Sequence, residues 1–307
     1  MEDERAYILD SKNCPQKRGD ALVSYFQNSG NLEFVLSLIS DGEGYVRSSS
    51  AKCLALSKNR NIYDPLIKLA CDSDLHVRGD ALIAMGQSLD SRFTFPLINY
   101  FKHTGYELKK RVFLALEALA DPRAICFLKE HTGDSNDLGN LALRAYASCD
   151  LNNSFLYSYV GPLDLYDRAL NIEGRILVDD LKKLDDNLYI LIEHGFDRPQ
   201  TYVIDEEGNF FIGGLFDEHV YAAQGKKVLT AGEIEFINSG SGWGVQYCNN
   251  RSNGYYPAEN SFIHLSKTLS NLGIKNISEF NEVFPKDGFC DEEFLSLQPF
   301  YHKIQSI

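Results

Sequence analysis

Long apolar runs are missing from this chain. No window reaches the roughly 18 apolar residues at which a helix begins to be able to cross a bilayer, so no membrane span is expected. Positive charge is also scarce: 30 Lys and Arg stand against 43 Asp and Glu, for a net charge of −13, and no Lys/Arg-rich run breaks that balance. A protein that tracks a phosphate backbone needs a positive surface, so nucleic acid is not an expected partner. The opening Met1-Glu2-Asp3-Glu4-Arg5 has neither a basic region nor an apolar stretch, and so reads as no secretory leader. The seven cysteines are odd in number, scattered, and lack a C-x-x-C pair. That usage excludes a disulfide framework and a zinc site and predicts reduced, mostly buried thiols in a cytoplasmic protein. The seven histidines are too dispersed to assemble a metal site. There is no Walker A loop, no G-x-G-x-x-G, no H-E-x-x-H and no G-x-S-x-G elbow, so no cofactor is expected.

What is present is an internal repeat. Val46-Arg47-Ser48-Ser49-Ser50-Ala51 returns as Val77-Arg78-Gly79-Asp80-Ala81-Leu82, Asp41 returns as Asp72, and Pro65-Leu66-Ile67 returns as Pro96-Leu97-Ile98, each 31 residues on. Further copies read Leu108-Lys109-Lys110-Arg111-Val112-Phe113 and Leu138-Gly139-Asn140-Leu141-Ala142-Leu143, and Arg18-Gly19-Asp20-Ala21 shadows Arg78-Gly79-Asp80-Ala81. Helix starts are therefore expected near positions 17, 46, 77, 108 and 138. Small residues recur where helices must approach closely (Ala51, Cys53 and Ala55; Ala81, Ala84 and Gly86; Ala115 and Ala118), with larger apolar residues completing the buried face. Each copy ends in a short apolar second helix, and a hairpin of this size buries its faces only by stacking on its neighbours.

The D-x-x-x-x-V-R pattern with its P-L-I second helix resembles the HEAT and HEAT-like repeat family over roughly residues 15–150. The resemblance implies an α-solenoid of about five helical hairpins, occupying residues 1–150, that presents a surface to another protein. Arg47 and Arg78 are expected to bind carboxylates of a neighbouring repeat, Asp41 and Asp72 being the candidates. The two Arg-Gly-Asp triplets fall at helix starts, which argues against an adhesion role.

The period lapses by Asp150. Residues 151–307 read as a second, α+β domain, with a junction at 151–175 that has room for a short helix. Residues 176–184 have helical spacing, and residues 188–192 form a short apolar run. Gln200-Thr201-Tyr202-Val203-Ile204, the turn Asp205-Glu206-Glu207-Gly208-Asn209 and Phe210-Phe211-Ile212 predict a hairpin. Val220-Tyr221-Ala222-Ala223, residues 228–237 and residues 243–248 extend it into an antiparallel β-meander, followed by a helix over 260–272 stopped by Gly273. The aromatic tail is expected to pack back on this domain.

A second resemblance rests on His219-x5-Gly225-x5-Ala231-Gly232 and Ser252-x-Gly254-Tyr255-x-Pro257, about 45 residues in all. It is similar to a domain of uncharacterised bacterial proteins and to the core of plant IQ-motif calmodulin-binding proteins, which read H-S-S-F-x-x-G-x5-A-G and S-G-H-Y-x-P. Here Val220 and Tyr221 replace the serines and Gly254 replaces the second histidine. With no IQ motif in the chain, calmodulin does not carry over.

Within this stretch His219, Asn250, Ser252 and Tyr255 are the candidate ligand-binding residues. Amides and phenols in the polar loop 249–256 suit a nucleotide-like ligand, and the same residues suit a turn carried by Gly254. Glu233 and Glu235 are the candidate catalytic residues. A Glu-x-Glu strand with an upstream Arg198 echoes ADP-ribosyltransferase sites, although the Ser-Thr-Ser strand of that class is absent. His194, Asp197 and Arg198 supply a base, an acid and a cation without a nucleophile. The leading expectation is a protein-interaction module, an acidic surface suiting a basic protein partner, with toxin neutralisation of the bacterial immunity type as one concrete form. A small-ligand or nucleotide sensor and an ADP-ribosyl-type transferase are the alternatives.

Overall fold

The computed structural model describes the chain except residues 1, 58, 135, 151–153, 172–175, 180–183, 185–198, 214–217, 239, 241, 275–278, 286–288 and 290–307. Its contacts divide it into two compact units, broken after Leu151 and again before Phe289.

The first unit is helical: α1 Glu2–Leu9, α2 Pro15–Ser29, α3 Leu32–Leu38, α4 Gly44–Leu56, α5 Tyr63–Ala70, α6 Leu75–Gln87, α7 Thr94–Lys102, α8 Tyr106–Leu119, α9 Ile125–His131 and α10 Asp137–Asp150. The long helices α4, α6, α8 and α10 start 31 residues apart, and so do α5, α7 and α9. Capping groups return at the same interval. Asn59, Asp90 and Asp121 each accept a backbone N–H two residues on and open a 3₁₀ turn. Elsewhere Asn31 caps α3, Asp74 caps α6, and Gly30 in the left-handed conformation (φ 63°) closes α2.

Consecutive long helices pack on one another, α2 on α4, α4 on α6, α6 on α8 and α8 on α10. The recurrent small residues permit the approach: a Cβ at Gly86 would lie 2.6 Å from the Ala115 Cα. Ala51, Cys53, Ala81, Ala84 and Ala115 are all buried. Arg47 donates to Asp72 through Nε (2.7 Å) and Nη2 (2.8 Å), and Arg18 binds Asp41 at 2.6 Å. The expected arginine–aspartate pairing therefore forms at Arg47, and likewise at Arg18, running from the long helix to the loop that follows its own copy's second helix, whereas among the described residues no such ion pair forms at Arg78.

One periodic device escaped the sequence reading, although D-x-R stands at 90–92 and again at 121–123. Arg92 and Arg123 fold back on Asp90 and Asp121 and reach the carbonyls of Arg60 and Ser91, 32 residues upstream. The Asp121–Arg123 pair is completely buried.

The second unit is built on an antiparallel sheet of β1 Ile176–Leu177, β2 Gln200–Asp205, β3 Phe210–Ile212, β4 Val228–Asn238 and β5 Trp243–Cys248, with α11 Leu163–Ala169, α12 His219–Ala223 and α13 Phe262–Asn271. The strand order is β1-β3-β2-β4-β5, so the expected meander is corrected. The β2–β3 hairpin forms as expected, but β4 pairs with β2 on the side away from β3. The run Tyr202-Val203-Ile204 has no polar alternation and is buried on both faces, which suits a central strand. Leu265 and Leu269, one turn apart on α13, join Tyr202, Ile204, Ile212 and Ile234 in the core.

Two local expectations are also corrected. Ile176 and Leu177 are strand, not helix, and pair with Ile212 and Phe211, satisfying the otherwise open edge of β3. Residues 220–223 are helix, not strand, because Gln224 (φ 52°) and Gly225 (φ 70°) turn left-handed and stop the chain after one turn. The junction carries α11, and Tyr157 exchanges backbone hydrogen bonds with Val228. The helix that closes the motif ends where Gly273 turns left-handed (φ 78°). The run 188–192 lies outside the described residues. Of the aromatic tail beyond Gly273, residues 274, 279–285 and 289 are described: Ile274 and Phe280 pack in the core of the β unit, as expected, and the Phe289 ring lies 5.5 Å from Phe95 of the helical unit.

Candidate functional site

Two of the candidate residues of the second unit, His219 and Asn250, meet at one glycine, Gly232, in the middle of β4 opposite Tyr202. His219, the first residue of α12, places Nε2 3.0 Å from the Gly232 carbonyl. Since a carbonyl only accepts, Nε2 carries the proton and Nδ1 the lone pair. Burial pushes the imidazole pKa from 6.5 down to about 4, opposed by this same hydrogen bond, so the ring is neutral at neutral pH.

On its other side Gly232 abuts the backbone of Asn249 and Asn250, and a Cβ there would run into the Asn249 carbonyl oxygen. The same oxygen accepts from the buried Tyr202 hydroxyl at 3.1 Å. Asn249 is 1 % exposed and ties the site together. Its Oδ1 accepts from the Glu233 and Arg251 N–H groups (3.0 and 2.8 Å), and its Nδ2 donates to Glu233 Oε2 (2.8 Å) and the Tyr247 hydroxyl (2.9 Å). Tyr247 donates in turn to Glu282 at 2.7 Å, and burial is the first cause that raises its pKa.

Asn250 uses its whole amide on backbone: Nδ2 donates to the Pro257 and Phe284 carbonyls, both at 2.8 Å, and Oδ1 accepts from the Phe284 N–H at 2.6 Å. Ser252 is fully buried, its Oγ accepting from the Tyr255 N–H at 3.4 Å and its carbonyl from the Tyr256 N–H at 3.0 Å. Tyr255 is fully buried, donates to the Lys226 carbonyl at 2.8 Å, and stands edge-on to Tyr159 with ring centroids 5.5 Å apart. Gly254 lies flush on the Tyr159 ring, where a Cβ would collide. Gly232 thus brings His219 to Asn250, while Ser252 and Tyr255 share the following turn. What the four side chains do in this arrangement is bind one backbone segment to another.

Glu233 and Glu235 project from β4, Glu233 bonded to Asn249 and Glu235 opposite Tyr247. Two partly buried carboxylates beside a phenol form a polar patch on this sheet face. The transferase pattern also needs Arg198, which with His194 and Asp197 lies outside the described residues. The sequence reading missed Asn249, Tyr247 and Glu282. The amide pair Asn249-Asn250 was visible as composition, but nothing in the sequence announced that Glu282 meets Tyr247.

Among the described residues no group of three or more His, Cys, Asp or Glu is placed to hold a metal ion, and no helix is long and apolar enough to cross a membrane. Cys53, Cys149 and Cys248 are buried, and burial pushes the Cys248 thiol up to about 11 and Cys53 to about 12. Cys14 and Cys126, at the edges of helices, are exposed, contrary to the expectation of mostly buried thiols. No family model matches the chain, and no curated protein matches it.

Proposed function

We propose that this protein is an interaction module whose helical half is a HEAT-like solenoid that docks another protein, with toxin neutralisation as the concrete form. One observation carries the reading. The first turns of three successive long helices each expose a large apolar side chain: Tyr45 (62 % exposed), the second residue of α4, and Leu75 (49 %) and Tyr106 (42 %), the first residues of α6 and α8. Folding alone gains little from leaving three such side chains in water along one row of helix starts. Tyrosine in particular supplies contact area at low entropic cost in protein interfaces. The exposed carboxylates of Glu43 and Glu107 stand beside them. Carboxylates at helix starts stabilise the helices, and they also give the edge the sign that a basic partner complements.

Affinity capture tests this with two baits, the wild type and the Tyr45→Ala/Leu75→Ala/Tyr106→Ala variant. A basic protein retained by the first and lost by the second, with both baits melting alike, supports the reading. Identical captures by the two baits remove it.

A small-ligand or nucleotide site at the Gly232 cluster is the second reading. The neutral imidazole of His219, partly open to solvent, is the observation in its favour.

A further inference from the structure

The 31-residue repeat places a cation on α4, α6 and α8 and, 25 residues further on, at two rungs of the three, an acid after the short helix. The cations are Arg47, Arg78 and Lys109, preceded by Arg18, and the acidic column runs Asp41, Asp72, position 103, Asp134. Arg18 takes Asp41 and Arg47 takes Asp72 with two parallel bonds. Lys109 lies over the Phe101 ring, 4.6 Å from its centroid. At the third rung the acid is replaced by His103, which is exposed.

Arg78 is therefore left with a guanidinium that no carboxylate of its own rung meets. Its Nε is buried and has no hydrogen-bond partner. Beside it stands Tyr100, 2 % exposed, whose hydroxyl is buried and likewise without one. The phenol feels Arg78 and Thr104 nearby, yet neither makes a well-formed hydrogen bond with it. Buried donors left unmet destabilise the fold, and a carboxylate is the group the repeat places at this point twice before.

We infer that Arg78 and Tyr100 form a binding site for a carboxylate supplied from outside the chain, which completes the third rung. The guanidinium Nε–H and the phenol O–H are the two donors, and the fork geometry of arginine favours a planar two-oxygen acceptor over chloride. The source is either an acidic side chain of a bound protein or a free small carboxylate. The site stands whether or not the helical unit docks a protein.

Thermal melts of the full chain test it, in sodium acetate against sodium chloride at equal ionic strength. Wild type is expected to melt a few degrees higher in acetate. His103→Asp, which returns the missing acid to the rung, should melt higher than wild type in chloride and gain nothing from acetate. Arg78→Gln should also gain nothing. His103→Glu gives a second chance at the rung if the shorter acid does not reach. Acetyl-Gly-Glu-Gly-amide, with acetyl-Gly-Gln-Gly-amide as control, separates the sources. Stabilisation by the Glu peptide well below the acetate concentration needed assigns the site to a protein's acidic side chain. Acetate equal or superior to the peptide assigns it to a free carboxylate. Equal melting of wild type in acetate and chloride, or an acetate gain that survives in Arg78→Gln, would overturn the inference.

Discussion

Arg47 and Asp72 lie 25 residues apart in the chain and are joined in space by two parallel hydrogen bonds of 2.7 and 2.8 Å. The same guanidinium reaches the Asp41 carbonyl at 2.8 Å, so a single side chain clamps two inter-helix loops. The hydrogen bond from Arg47 is the first cause that holds the Asp72 carboxyl below its ordinary 3.8. A folded-state pKa below the unfolded one contributes stability that is present above the unfolded value and lost as pH falls through the folded one. Wild type should therefore lose stability on acidification below about pH 4 more steeply than Arg47→Met does. Urea melts between pH 5 and pH 2 measure this, and parallel curves would deny the pair any such role.

His219 predicts a separate and higher window. Its pKa falls from 6.5 unfolded to about 4 folded, so between those values the unfolded chain binds the extra proton. Stability from this group is complete above pH 6.5 and drains as pH drops toward 4, with a slope of at most about 1.4 kcal/mol per pH unit. His219→Gln keeps an N–H donor for the Gly232 carbonyl and should remove that slope while leaving the melting temperature at pH 7.5 within a few degrees. An unchanged slope in the variant would mean that the imidazole titrates as it does in water.

Gly232→Ala should cost about 1–3 kcal/mol or more, the usual range for overpacking. Its Cβ would meet the Asn249 carbonyl and the Asn250 Cα, which are backbone of the adjoining segment and not a side chain able to swing away. Denaturant unfolding reads the loss directly. A variant as stable as wild type would mean that the β4–Asn249 approach is loose.

Asn250 and Tyr255 separate architecture from ligand binding. Tyr255→Phe forfeits one hydrogen bond to the Lys226 carbonyl and should cost about 1 kcal/mol. Asn250→Ala strands the Pro257 and Phe284 carbonyls and the Phe284 N–H and should cost several times as much, roughly 2–4 kcal/mol. Losses of this order mark the pair as tethers. Unchanged melting temperatures, with loss of a nucleotide or other small ligand that stabilises wild type, would mark it as a site.

Ala84→Glu tests the repeat packing. Ala84 is 1 % exposed on α6, and a carboxylate forced there has no partner, at a cost of several kcal/mol, about 3–5. Melting like the wild type would mean that the α6 face has been misassigned.

The helical half was legible in the sequence because each of its rules is local. A 31-residue interval, small residues at close approaches and a cap at each turn act within one hairpin or between adjacent ones, so they repeat visibly along the chain. Even there D-x-R was overlooked, since its effect lies in a guanidinium reaching a carbonyl one copy upstream. In the second half Tyr202-Val203-Ile204 and Phe210-Phe211-Ile212 declared a hairpin, and its turn is local too. That β4 crosses to the far side of β2 was not declared, because strand order depends on which edges become buried, a property of the assembled sheet. Residues 220–223 read as a strand, and the left-handed pair Gln224-Gly225 closes them instead as one turn of helix. The Gly232 cluster shows the same division. From the sequence alone His219, Asn250, Ser252 and Tyr255 were expected to work together, because they fall in one polar, glycine-bearing stretch. That Asn249 ties the cluster together and Glu282 closes it emerges with the fold, because hydrogen bonds between segments 16 and 35 residues apart form only once the sheet has brought those segments together.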